Sequence, residues 1–244
     1  MPLVERTSQI AAIYGNLLTS FIAYNNKEKE RSQHTRFVIY GGPGTGKTRF
    51  GVDCLFHALE WAKTNRRNSD DDNRFMDCLE HALTIHVTFA NGSELLEEET
   101  KTAKLMQEAV VTRMILFLFN LHSSTPPRTF RERYPSACQL TISDVLDLAS
   151  IIYPTAKMFF IHLDEVNALH KANPKAFQTL ISQISPMIFN VESRKFSGII
   201  ITGTIYEGGG VQPKHSNNYP TLNLKLTPLS STGKLTLDPY VNID

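Results

Sequence analysis

Residues Gly41 to Thr48 read GGPGTGKT, directly after the strand-length apolar run Arg36-Phe-Val-Ile-Tyr40. Beyond Thr48, Phe50, Val52, Leu55, Phe56 and Leu59 recur at helical spacing. A strand, a glycine-rich loop and a helix in immediate succession leave few folds open, and G-x-x-x-x-G-K-[ST] in that context is the phosphate-cradling pattern. Gly41, Gly44 and Gly46 let the backbone curl so that successive N–H groups point inward at anionic oxygens. Lys47 adds a point charge for the β- and γ-phosphates, and the Thr48 hydroxyl suits Mg²⁺. The following helix aims the positive end of its dipole at the same place. The expected binding set is Gly41, Gly42, Pro43, Gly44, Thr45, Gly46, Lys47, Thr48 and Arg49, with ATP and Mg²⁺ as the ligands.

Strands and helices alternate along the rest of the chain. A helix is expected over residues 8–24, where Ile10, Ile13, Leu17, Leu18 and Phe21 line one side. Strands are expected at Leu83–Phe89, Met158–Glu165, Gly198–Thr202 and near Thr221–Leu226. Helices are expected over 47–63, 97–121 and 173–189, with a shorter one capped by Thr141 or Ser143. The charged run 65–74 (NRRNSDDDNR) and the proline- and arginine-rich run 125–135 read as surface loops, the first of them mobile. Such alternation argues for an α/β fold, a three-layer α/β/α sandwich on a mostly parallel five-stranded sheet. The organisation expected is an N-terminal helical flank (1–34), one core (35–230) and a short tail (231–244). A chain of 244 residues is ample for such a core.

Charge is nearly balanced, 25 basic against 24 acidic residues, so the whole chain makes no argument for nucleic acid or an anionic membrane. The cysteines Cys54, Cys78 and Cys138 are odd in number and widely spaced, which fits reduced thiols better than a disulfide framework or a zinc site. Charges at Glu5 and Arg6 fall where a signal peptide needs apolar residues, and the run Met114–Phe119 is too short to span a bilayer. The expectation is a soluble intracellular protein, cytoplasmic or nuclear, with no membrane partner.

A second motif completes the chemistry. Met158-Phe-Phe-Ile-His-Leu-Asp-Glu165 is an apolar strand ending in two acids, where open α/β sheets bind ligands. Asp164 would share Mg²⁺ with Thr48, and Glu165 would orient and deprotonate a water attacking the γ-phosphate. The catalytic set is therefore Glu165, Lys47 and Thr202, the last ending the strand at 198–202 and holding the attacking water, with Thr204 in reserve. Against this, threonine simply favours strands. The histidines show no metal-ligand spacing, and His162 reads as a satisfied core residue. Arg66, Arg67, Arg128, Arg131, Arg133, Arg194 and Lys195 read as solvated surface, and the acidic run Glu94–Glu99 as a helix start.

The order of these motifs resembles the AAA+ and STAND branch of P-loop ATPases, in which another strand separates the Walker A and Walker B strands. Val4-Glu5-Arg6 followed by Ile10, Ile13 and Leu17 also looks like the opening helix of that branch, near the adenine, though Glu5 stands for its glycine and Thr7 for its glutamate. No N-K-x-D guanine motif follows, which disfavours a GTPase. A narrower resemblance is to the NTPase domain of Crinkler and retrotransposon-hot-spot proteins. It rests on Phe89-Ala-Asn-Gly92, Arg113 before an apolar-aromatic run, His162-Leu-Asp-Glu165 and Thr202-Gly-Thr204. That family implies action on or near DNA beside a nuclease-like module, and neither such a module nor a Crinkler-type secretion segment is visible. Ile205–Pro220 contains no arginine to serve as a finger, and the tail is too short for a helical lid.

These readings predict a Mg²⁺-dependent ATPase acting on protein or nucleic acid, with a second copy, another protein or DNA as open partners. Two rivals stand beside it. One is a nucleotide-loaded switch with negligible turnover, and the other is a small-molecule kinase, disfavoured by the adjacent Asp164-Glu165 pair.

Overall fold

The computed structural model describes residues 6–65, 69–90, 93–193, 195–204 and 219–226. The chain opens with helix α1 (Thr7–Asn25), then strand β1 (Arg36–Gly41), the glycine-rich loop and helix α2 (Lys47–Asn65). Helix α3 (Asp70–Glu80) leads into β2 (Ala82–Thr88), and α4 (Ala103–Leu118), α5 (Pro127–Arg133), α6 (Pro135–Cys138) and α7 (Ile142–Ile152) lead into β3 (Met158–Asp164). Helices α8 (Asn167–Ala172) and α9 (Pro174–Ile188), then β4 (Phe196–Gly203) and β5 (Thr221–Leu226), complete it.

The five strands form one wholly parallel sheet in the order β2-β3-β4-β1-β5. Parallel strands need crossovers, and the helices supplying them cover both faces, so β3 and β4 are buried at every position. Side-chain alternation sorts the core into two halves. Val38, Ile85, Val87, Phe159, Ile161, Leu163, Ile199 and Ile201 pack against α4, α7 and α9. Phe37, Ile39, Met158, Phe160, Ile200 and Leu224 pack against α1, α2 and α3. Ile13, Leu17 and Phe21 of α1 belong to that second half, so the N-terminal helix is part of the same core.

Two expected loops are helical instead. From Asp70 the charged run is α3: the Ser69 hydroxyl accepts the Asp72 N–H at 3.1 Å, and Asp70, Asp71 and Asp72 occupy the first turn. Acids there favour the positive helix end, so a charge cluster that suggests solvent is also a helix start. Phe75, Met76, Cys78 and Leu79 then bury one side. In the segment 125–135, Pro127 and Pro135 open helices α5 and α6, the first helical position being where proline loses nothing. The helix expected over 97–121 is divided: a 3₁₀ turn at Glu97–Thr100 precedes α4, which Thr102 caps. Thr141, not Ser143, caps α7. The stretch 205–218 and the tail lie outside the described residues, as do Val4, Glu5, Arg66, Arg67, Asn91, Gly92 and Arg194. No helix among the described residues is long and apolar enough to cross a membrane.

Candidate functional site

Because β4 lies between β1 and β3, the C-terminal ends of three adjacent strands meet beside the start of α2. The loop there has the conformation its glycines permit: Gly44 and Gly46 have φ of 75° and 80°. Gly41 is fixed by space, since a Cβ would overlap the Leu226 carbonyl of the neighbouring strand. Thr45 is buried, its hydroxyl donating to the Gly42 carbonyl at 3.0 Å, and the buried Arg6 guanidinium reaches the Thr45 carbonyl at 3.4 Å. Pro43 is exposed, and the Arg49 side chain turns back along α2 to Asp53 at 3.4 Å.

Lys47 is 6% exposed, and its ammonium donates to the Gly42 carbonyl at 3.0 Å. Thr48 Oγ donates across to the end of β3, lying 3.1 and 2.9 Å from the two Asp164 oxygens. Thr202, at the end of β4 and fully buried, gives its hydroxyl proton to Asp164 Oδ1. The residues singled out in the sequence as phosphate charge, metal hydroxyl, metal carboxylate and strand-end threonine thus sit in one cluster. Thr204 contributes its backbone N–H to Asn167 Oδ1 at 3.4 Å.

Glu165 follows immediately, with φ of 55°, in the left-handed region a side chain rarely adopts. Such a residue costs about 1–3 kcal/mol and persists only where its surroundings demand it. The demand is visible here. The Val166 N–H donates to the Thr202 carbonyl at 3.2 Å and the Ala168 N–H to the Glu165 carbonyl at 3.1 Å, so the chain must turn sharply from β3 into α8. The Glu165 carboxylate makes no hydrogen bond or ion pair among the described residues.

Two histidines and a glycine extend the cluster. His162 is fully buried, with Nε2 2.9 Å from Thr202 Oγ and Nδ1 2.9 Å from His86 Nδ1. Asp164 Oδ1 lies 3.9 Å from Nε2, an ion-pair distance were the ring charged. Burial wins, aided by the neighbouring His86, and lowers the His162 pKa to about 3. The ring fits only because α2 carries Gly51 beside it, where any Cβ would overlap the imidazole. Gly51 spends about 1 kcal/mol of helix propensity for that fit.

No protein-family model matches the chain, and no curated protein matches it in sequence. Function must therefore be argued from the site.

His162 is core, as the sequence predicts, while His86, Gly51 and a second buried cluster emerge only in the structure. The pairing was readable in principle: each histidine stands two residues before its strand's last residue, and parallel register sets His86 against His162 and Thr88 against Asp164. The second cluster centres on Glu99, expected to be an ordinary helix-start acid but fully buried. Arg113 meets it with two contacts, at 3.2 and 3.1 Å, and Arg131 adds a third at 2.9 Å. Arg113 also donates to the carbonyls of Ser93 and Glu94 and lies 4.9 Å over the Phe89 ring, pinning the segment after β2. Arg131, expected on the solvated surface, is an ion-pair residue with Glu99 and Glu108. Lys195 spends its ammonium on the carbonyls of Tyr153 and Pro154. Arg128 and Arg133 are the exposed remainder of that group among the described residues. All three cysteines are free and buried, and burial pushes the Cys54 thiol up to about 12.

Proposed function

We propose that this chain binds ATP with Mg²⁺ through a P-loop and hydrolyses the bond between the β- and γ-phosphates. The observation that carries the reading is the contact of Thr48 Oγ with both Asp164 oxygens, between residues 116 positions apart. It joins the end of the glycine-rich loop to the end of the acidic strand, beside a buried lysine. A hydroxyl and a carboxylate are two hard oxygen ligands, which suits Mg²⁺, a cation that takes few protein ligands and fills its shell with phosphates and water. Among the described residues no three His, Cys, Asp or Glu side chains form a cage for a more fully protein-held ion. Held there by Thr48 and Asp164, Mg²⁺ would supply positive charge to offset that of the phosphates during transfer.

The chain's own residues would do the rest. The backbone N–H groups of Gly42 and of residues 44–48, with the Lys47 ammonium, hold the phosphates; Pro43 has no N–H to give. Glu165, its carboxylate unengaged among the described residues, takes a proton from the attacking water as the water oxygen bonds to the γ-phosphorus. The bond to the bridging oxygen breaks, and its electron pair leaves on ADP. Thr202 was expected to hold that water, but its single proton goes to Asp164, so we assign it the orientation of that carboxylate. The sheet order, with one strand between the loop strand and the acidic strand, supports placement in the AAA+ and STAND branch. The contact of Arg113 with Phe89 ties together two features of the narrower Crinkler and retrotransposon-hot-spot resemblance.

One alternative has observations of its own. The commitment of Thr202 to Asp164 and the lack of arginine between Ile205 and Pro220 favour a nucleotide-loaded switch with negligible turnover. ATP binding and turnover, measured over a range of protein concentrations, decide between the two. Lys47→Ala should weaken ATP binding roughly tenfold to a hundredfold, the worth of a charge-assisted contact. Unchanged affinity would sink the P-loop reading. Glu165→Gln should keep binding and lose roughly 10²–10⁴ in turnover. Tight binding with no turnover in the unsubstituted chain would establish the switch.

A further inference from the structure

The hydrogen bonds behind Asp164 have only one consistent direction. The proximal acceptors of Thr202 are the Asp164 carboxylate and, at 3.5 Å, the Leu163 carbonyl, and neither atom can donate. The single hydroxyl proton of Thr202 must therefore point away from His162, so His162 Nε2 carries a proton and donates to Thr202 Oγ at 2.9 Å. A neutral imidazole with Nε2 protonated has a bare Nδ1, so the 2.9 Å contact there requires His86 to donate from its own Nδ1. The protons thus run from β2 at the sheet edge, through β3 and β4, to Asp164. Each donor polarises the next, and such chains strengthen one another.

We propose that His162, its tautomer set by His86, is a positioning residue that commits the Thr202 hydroxyl to Asp164 and so fixes that carboxylate for Mg²⁺–nucleotide binding. This rests on the ATP reading above. Gly51 is the supporting observation: a helix interior gives up a side chain at the one position where the imidazole must lie against it. Outer partners of metal-binding carboxylates and imidazoles commonly change metal affinity by roughly 10–100-fold when removed.

The test has two arms on the full chain. Long-range ¹H–¹⁵N NMR should show His162 protonated at Nε2 and His86 at Nδ1; the opposite tautomer at His162 would overturn the relay. Binding of a fluorescent ATP analogue is then measured against Mg²⁺ concentration for the parent, His162→Phe and His162→Gln, with a thermal melt of each. His162→Phe should require roughly 10–100-fold more Mg²⁺ for the same binding, with Mg²⁺-free binding unchanged. His162→Gln, whose amide can donate where Nε2 did, should recover most of the loss. If His162→Phe does not fold, His86→Phe keeps the imidazole and releases its tautomer, and should show a smaller shift in the same direction. An unaltered Mg²⁺ requirement in the folded variant, or equal loss in the Phe and Gln variants, would reduce His162 to a packing residue. A parent chain that binds no nucleotide with Mg²⁺ would instead remove the ATP reading itself, whatever the tautomers.

Discussion

Glu99 and Asp164 are carboxylates 0% and 2% exposed in the same chain, and their charge is met in opposite ways. Glu99 is held by two arginines, with Glu108 balancing the second. That cluster is complete: two cations, two anions, and the remaining Arg113 donors on backbone carbonyls. Among the described residues the Asp164 carboxylate receives hydroxyl protons alone, from Thr48 and Thr202, and the buried cation Lys47 donates to a carbonyl instead of a carboxylate. Lys47 and Asp164 lie in one cluster without neutralising each other. Burying a charge against neutral dipoles is tolerable but leaves most of its Coulomb energy unused. The first arrangement is closed and holds the segment after β2 in place. The second leaves a positive and a negative charge unpaired with each other among the described residues, the arrangement that the proposed phosphate–cation ligand would need.

If that contrast is right, breaking the closed cluster should have the largest effect on stability. Arg113→Ala leaves Glu99 buried with one partner fewer and should cost about 3–5 kcal/mol, read from urea denaturation. A loss no larger than that of a surface pair, about 0–1 kcal/mol, would mean that the closed cluster is not what holds this segment.

Acid should strike the open cluster next. His162 titrates near 6.5 when unfolded and near 3 when folded, because burial excludes the charged ring. Between those values the unfolded chain binds the extra proton, so this contribution is full above pH 6.5 and falls as pH drops toward 3. At about 1.4 kcal/mol per pH unit, roughly 2 kcal/mol should be gone by about pH 5. Urea midpoints measured at steps from pH 8 to pH 5 give the slope, and His162→Gln should remove this part of it. A slope equal in parent and variant would show that the imidazole is not held neutral.

The smallest effect has the opposite sign. Lys47→Met removes a buried ammonium whose one partner among the described residues is a carbonyl, and should raise stability by about 1 kcal/mol while weakening ATP binding. Equal destabilisation by Lys47→Met and Arg113→Ala would erase the distinction between the clusters.

Legibility in the sequence followed the range of the signal. Strands β1, β3 and β4 were readable as short apolar runs, and the sharp loop after β1 because Gly44 and Gly46 permit its left-handed backbone. Asp164 and Glu165 were readable as the polar end of such a run. The helix at Asp70 was missed because three acids after a serine signal both solvent and a helix start, and only the buried face at Phe75, Met76 and Leu79 decides between them. The role expected of Thr202 shifted for a comparable reason: a hydroxyl at a strand end faces either a ligand or its neighbours, and here β3 supplies the neighbour.

The sequence by itself determined an α/β chain with a glycine-rich loop between strand and helix, and a lysine, a threonine and two acids where anion and cation chemistry would need them. Periodicity and backbone freedom are local properties, so a linear reading reaches them. Only the tertiary structure decided that Thr48 and Asp164 touch, that His86 meets His162 in register, that Gly51 makes room for that ring, and that Glu99 is a buried anion. Each of these depends on which strands are neighbours. That order is set by burying both faces of the sheet at once, a condition on the whole chain that no single segment contains.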